Sequence, residues 1–156
     1  MNQPTSHWAL DRETVIVRVY AAPRSAVYAA FTDADAMCQW YGPDGFQCVV
    51  HEMNTTVGGR SRFDLVAPDG TLYPNRVDYL QVVPDRLLEY NHGSDVDDDP
   101  AMFHVTITFD EQANGKTVLT MRQLHATPER RSEVIGFGAV ELGLQTMDKL
   151  ARYLGV

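Results

Sequence analysis

The stretch APRSAVYAAFTDADAMCQWYGPDGF, residues 22–46, decides the fold. Pro23 closes a preceding strand, and Val27, Ala30 and Phe31 then recur at helical spacing over residues 24–32. Asp33 and Asp35 mark the exit of that helix. A second short helix is predicted over 34–40, ending in the turn WYGPDG. There Trp40, Tyr41 and Phe46 form an aromatic cluster laced with Gly42, Pro43 and Gly45.

Working outward, residues 14–20, TVIVRVY, are β-branched and alternate, which predicts a first strand. Beyond the aromatic turn the chain reads as a meander. FQCVVHEM (46–53) and RSRFDLV (60–66) are followed by a long strand over about 71–83, predicted to break near Pro74. RLLEYNH (86–92), AMFHVTITFD (101–110) and KTVLTMRQLHA (116–126) complete it, the last two pairing across Asn114-Gly115.

The closing segment predicts one long helix. Thr127 suits the N-cap, Pro128 the first turn and Gly155 the stop. Phe137, Val140, Leu144, Met147, Ala151 and Leu154 form an apolar stripe. About 27 residues would make a helix of roughly 40 Å. Gly136, Gly138 and Gly143 inside it each cost about 1 kcal/mol relative to alanine. A kink, or close approach to another backbone or a ligand, would offset that cost. Strand, two helices, six strands and a helix is an α+β order, in which a curved antiparallel sheet grips the last helix around an apolar pocket.

At 156 residues the chain is expected to form one domain over 1–156, with a core of about 14–154 and an N-terminal extension of 1–13. Its net charge of −8 argues against nucleic acid and anionic membrane surfaces as partners. No stretch approaches 18 uninterrupted apolar residues, so no membrane insertion is expected. The leading residues MNQPTSHWALDRE lack the basic and apolar regions of a secretory leader. A cytoplasmic location is expected, with Cys38 and Cys48 reduced.

For chemistry, an antiparallel meander would bring His92, His104 and His125 to one rim. The alternation of Phe103, Val105, Ile107 and Phe109 turns His104 outward, however, and His125 inward with Leu119 and Met121. No metal site is therefore expected. The acidic loop 95–99 fails as a calcium loop, because Pro100 stands at its sixth position and Thr106 at its twelfth. It reads as solvated. No nucleophile, zinc-protease, phosphate-loop or dinucleotide motif is visible, and no cofactor is expected. What remains is the pocket. Its expected apolar lining is Trp40, Phe63, Leu65, Tyr90, Phe103, Val105, Met121, Phe137 and Leu144. Gln123 and His125 continue the inward parity of Leu119 and Met121, and Glu141 borders the helix stripe as a polar anchor. Glu141 and His125 are the candidate acid–base residues; no catalytic set is assigned.

Residues 22–46, the run VGGRSRFDLVAPDGTLYPNRVDYLQVVPDRLLEYNHG (57–93) and FGAVELGLQTMDKLARYL (137–154) together resemble the homologues of the heat-shock-protein-90 ATPase activator. These belong to the START-like, polyketide-cyclase-like superfamily. The resemblance spans about 14–154 and implies a helix-grip fold with a cavity between sheet and helix. It implies binding of a small hydrophobic or amphipathic molecule. The same scaffold also hosts cyclase- or hydratase-like acid–base enzymes, and the family's name implies a chaperone contact. Fold alone does not choose among these. The eukaryotic co-chaperone carries a separate N-terminal domain for its client, and no counterpart of it is expected in these 156 residues.

Overall fold

The structure, a computed structural model, describes residues 9–156. The first eight residues of the expected extension, with most of the segment read for a leader, lie outside the described residues. The elements run β1 (Glu13–Tyr20), α1 (Arg24–Thr32), α2 (Ala34–Met37), β2 (Gln47–Met53), β3 (Arg60–Val66) and β4 (Leu72–Val83). β5 (Leu87–Ser94), β6 (Phe103–Glu111), β7 (Thr117–Leu124), α3 (Pro128–Gly136) and α4 (Ala139–Leu154) follow. All seven strands form one antiparallel sheet in the order β1-β7-β6-β5-β4-β3-β2. The first strand thus pairs with the last, and the two-helix crossover carries the chain to the opposite edge. The sheet is curved, and the architecture is the expected α+β helix grip. Register shifts between Val50 and Glu52, and between Tyr79 and Gln81, are bulges of the kind that bend a sheet.

Alternation decides which side chains enter the core. Leu88, Val105, Ile107, Phe109, Leu119 and Met121 project inward from β5, β6 and β7 and are buried. Val27, Ala30 and Phe31 of α1 meet them, and Phe31 sets its ring edge against Trp40 and Phe109. Each such apolar side chain contributes about 1.5–3 kcal/mol on burial. Asp33 is the joint between the two short helices. Its backbone N–H donates to the Ala29 carbonyl, while its carboxylate accepts from the N–H groups of Asp35 and Ala36.

Four expectations are corrected. The second helix stops at Met37, and residues 38–40 form a turn that drops the Trp40 indole onto the Ala30 carbonyl at 3.0 Å. β4 runs through Pro74 without a break. Its pairing with β5 begins only at Asn75, so the missing N–H of proline faces no neighbouring strand. The carboxylates of the loop after β5 are not merely solvated: Asp95 bonds Arg62 and Arg76, and Asp97 bonds Arg76. Finally, the long helix is two helices. Gly138 takes φ 88° and becomes the N-cap of α4, so the chain turns a corner there.

Candidate functional site

The face of α4 turned to the sheet is made by Gly143, Thr146, Met147, Leu150 and Ala151, and Met147 and Leu150 are sealed in the core. The Tyr20 hydroxyl donates to the Met147 carbonyl at 3.0 Å and fastens the helix across β1. Gly143 permits a still closer approach, since a Cβ there would stand 2.8 Å from Ile16 Cδ1. The WYGPDG turn closes the third side. Lys149 Nζ donates to the carbonyls of Pro43 and Phe46, both at 3.2 Å, and Gln145 Oε1 accepts from the Asp44 N–H.

Between these three walls lies a cleft of about 130 Å³. The sheet contributes Ile16, Leu65, Met121 and Gln123 to its lining. The turn adds Tyr41, Gly42 and Pro43, and α4 adds Ala139, Leu142, Gly143, Thr146 and Met147. Burial pushes the Tyr41 phenol well above its ordinary pKa, so it stands as a neutral hydroxyl. The Thr146 hydroxyl donates to the Leu142 carbonyl on its own helix. A larger hollow of about 460 Å³ on the outer face of the sheet is lined by Arg60, Arg76, Asp78 and the acidic loop. Both of its arginines are already paired, Arg60 with Asp78 and Arg76 with Asp97.

Of the residues expected at the pocket, the structure brings Leu65, Met121 and Gln123 to the cleft. Trp40, Phe63, Tyr90 and Val105 are buried in the core, where Phe63 and Tyr90 line a separate small hollow of about 20 Å³ with Tyr41 and Tyr79. Phe103 lies half-buried between the rings of His92 and His125, at 4.8 and 5.7 Å. Phe137 and Leu144 are 59% and 42% exposed, and Glu141 is exposed as well. Leu144 flanks the face made by Gly143, Met147 and Leu150; for Phe137 and Glu141 the corner at Gly138 is the reason. It restarts the helix, putting Phe137 at the corner itself and Glu141 in the first turn of α4, where a carboxylate complements the helix dipole. Ile16, Tyr41, Pro43, Leu142, Thr146 and Met147 also line the cleft, beyond the lining expected from sequence. Gly143 is the available signal, because a glycine on a helix face marks close approach to a neighbour, here Ile16 of the sheet.

The histidines separate as their parity requires. His104 faces outward to Glu89 at 3.0 Å, whereas His92 and His125 face inward. Burial lowers the His92 pKa to about 4, and its Nε2 lies 2.8 Å from Asn75 Oδ1. Among the described residues no three His, Cys, Asp or Glu side chains are grouped to hold a metal ion. Both cysteines are free; Cys48 is buried, which pushes its thiol up to about 12. No helix among the described residues is long and apolar enough to cross a membrane.

Comparison with known proteins agrees with the fold. The family model described as Activator of Hsp90 ATPase homolog 1-like protein matches residues 21–155. A crystal structure from Chromobacterium violaceum is 28% identical, with a TM-score of 0.77, and the match covers 92% of this chain and 96% of that one. A solution structure from Arthrobacter aurescens has a TM-score of 0.86 at 20% identity, covering 93% and 87%. The AHSA1 protein from Silicibacter pomeroyi has a TM-score of 0.75 at 22% identity, covering 92% and 97%. The last two share the fold. No curated protein matches.

Proposed function

The chain belongs to the Activator of Hsp90 ATPase homolog 1-like family, and from that premise we propose that it binds a small hydrophobic or amphipathic molecule between α4 and the sheet. The cleft of about 130 Å³ carries this reading. An engineered protein cavity of about 150 Å³ lined by apolar side chains accepts benzene, so a volume of this order suits one ring or one end of a longer apolar molecule. The walls are mainly aliphatic, with few polar groups, which is the composition of small-molecule sites. No lining residue carries a carboxylate, imidazole or thiol. That favours binding over the acid–base alternative for this cleft.

The test is thermal unfolding with a panel of small aromatic, alicyclic and short-chain amphipathic compounds. A ligand at one hundred times its Kd should stabilise the protein by about 2.7 kcal/mol. Ala139→Phe, which projects a ring into the cleft, should remove the effect. If no compound shifts the midpoint, the proposal is wrong.

A further inference from the structure

One polar group in the cleft is set up by residues behind it. The Thr14 hydroxyl lies 3.2 Å from Gln123 Oε1 and 3.0 Å from His125 Nε2. Thr14 and His125 are buried and do not line the cleft; Gln123 does. A hydroxyl has one hydrogen to give, and an amide oxygen can only accept. The Thr14 hydrogen therefore goes to Gln123 Oε1, and Thr14 Oγ1 accepts from the His125 Nε2–H. This order turns the amide so that Gln123 Nε2 keeps both hydrogens, and its bonding partner is the Met121 sulfur at 3.6 Å, a weak acceptor. A strong donor thus stands at the cleft wall with little to donate to. The wall holds no cationic side chain, so a ligand carboxylate would be desolvated without a counter-charge.

We infer that the cleft selects a neutral ligand bearing a hydrogen-bond acceptor, a carbonyl or ether oxygen on a ring-sized apolar body. In this arrangement Gln123 Nε2 is the recognising donor, with Thr14 and His125 as its positioning residues. The inference rests on the reading of the cleft as a ligand site. Burial and the nearby charges of Arg130 and Arg131 lower the His125 pKa and keep the imidazole neutral; the order of bonds through Thr14 assigns its one hydrogen to Nε2.

Two probes of the same shape separate the possibilities: cyclohexanone and methylenecyclohexane, which differ only in C=O against C=CH2. Each is titrated into the 15N-labelled full chain and followed by NMR, including the Gln123 side-chain amide signals. The ketone should bind roughly five-fold more tightly, the worth of one net hydrogen bond, and should move the Gln123 amide signals. Gln123→Leu should bring the two affinities together. Thr14→Val, which keeps the shape and removes the hydroxyl, should lower the ratio, and Thr14→Ser should restore it. A purely structural Thr14 would change both affinities and leave the ratio alone, which would overturn its positioning role. Equal binding of both probes by the unmodified chain would overturn the inference and leave the cleft a ligand site. Binding of neither would remove the cleft reading itself. Should Thr14→Val fail to fold, the unmodified chain and Gln123→Leu still decide.

Discussion

Gly138 governs the site more than any other residue. Its φ of 88° lies in the left-handed region, and only the Glu141 carboxylate, 3.7 Å away, stands near the place of an added Cβ. Gly138→Ala should therefore act through backbone strain alone. A loss of about 1–2 kcal/mol is expected, read as a lower urea midpoint with unchanged slope. An unchanged midpoint would mean that the corner is easily rebuilt as continuous helix. Trp40 is a second case. Its ring is 1% exposed, and its indole N–H donates to the Ala30 carbonyl at 3.0 Å. Trp40→Phe should retain most of the ring packing but strand that donor's partner, costing about 1–3 kcal/mol in a denaturant titration. A neutral outcome would mean that the carbonyl finds another donor.

Between elements, the seating of α4 on β1 depends on Gly143 and Ile16. Alanine at 143 would gain about 1 kcal/mol of helix propensity. The new Cβ would stand 2.8 Å from Ile16 Cδ1, and overpacking of this kind costs about 1–3 kcal/mol. Ile16→Val deletes that methyl. Gly143→Ala should therefore be more favourable by about 1 kcal/mol in the Ile16→Val background than in the unmodified chain. Strict additivity in the double-mutant cycle would show that the two elements do not meet there. The turn over the cleft is held by the same helix. Lys149→Met removes two donated bonds to the carbonyls of Pro43 and Phe46. Amide exchange at residues 44–46 should quicken about tenfold while α4 is unaffected. Unchanged exchange would mean that Gln145 and the Arg152–Asp44 ion pair, at 3.3 Å, suffice to hold the turn.

For the whole molecule, buried neutral imidazole makes stability depend on pH. His92 is lowered by desolvation from 6.5 to about 4. Between those values the unfolded chain binds a proton that the folded chain refuses. Stability is therefore full above about pH 6.5 and falls as the pH drops towards 4. His92 alone should remove about 3 kcal/mol across that window, and His125, lowered in the same direction, adds to the loss. Urea unfolding at pH 7 and pH 4.5 should show this fall, and His92→Gln should lessen it. An equal fall in both proteins would assign the acid sensitivity to other groups.

The strands, their inward and outward faces, the two-helix crossover and the caps at Thr127 and Gly155 were all legible in the sequence. Each depends on local periodicity, on a turn residue or on a capping side chain within a few positions. The opposite facing of His104 and His125 followed from the same period of two. Pro74 leaves β4 intact, because a proline breaks a strand only where a neighbour needs its N–H, and which neighbour lies there depends on how far β5 extends. The cleft was legible in part. Leu65, Met121 and Gln123 follow from strand parity, but the helix wall does not. One left-handed residue turns the expected single helix into two: Met147 and Ala151 of the expected stripe stay buried, Phe137, Glu141 and Leu144 stand exposed, and Gly143 and Thr146 join the face turned to the sheet. Thr14 and His125 are 111 positions apart, and only the pairing of β1 with β7 brings them together behind Gln123. Local chemistry thus determined the elements and their faces. The cleft and its polar anchor were decided by tertiary structure, because they depend on contacts between segments distant in the chain.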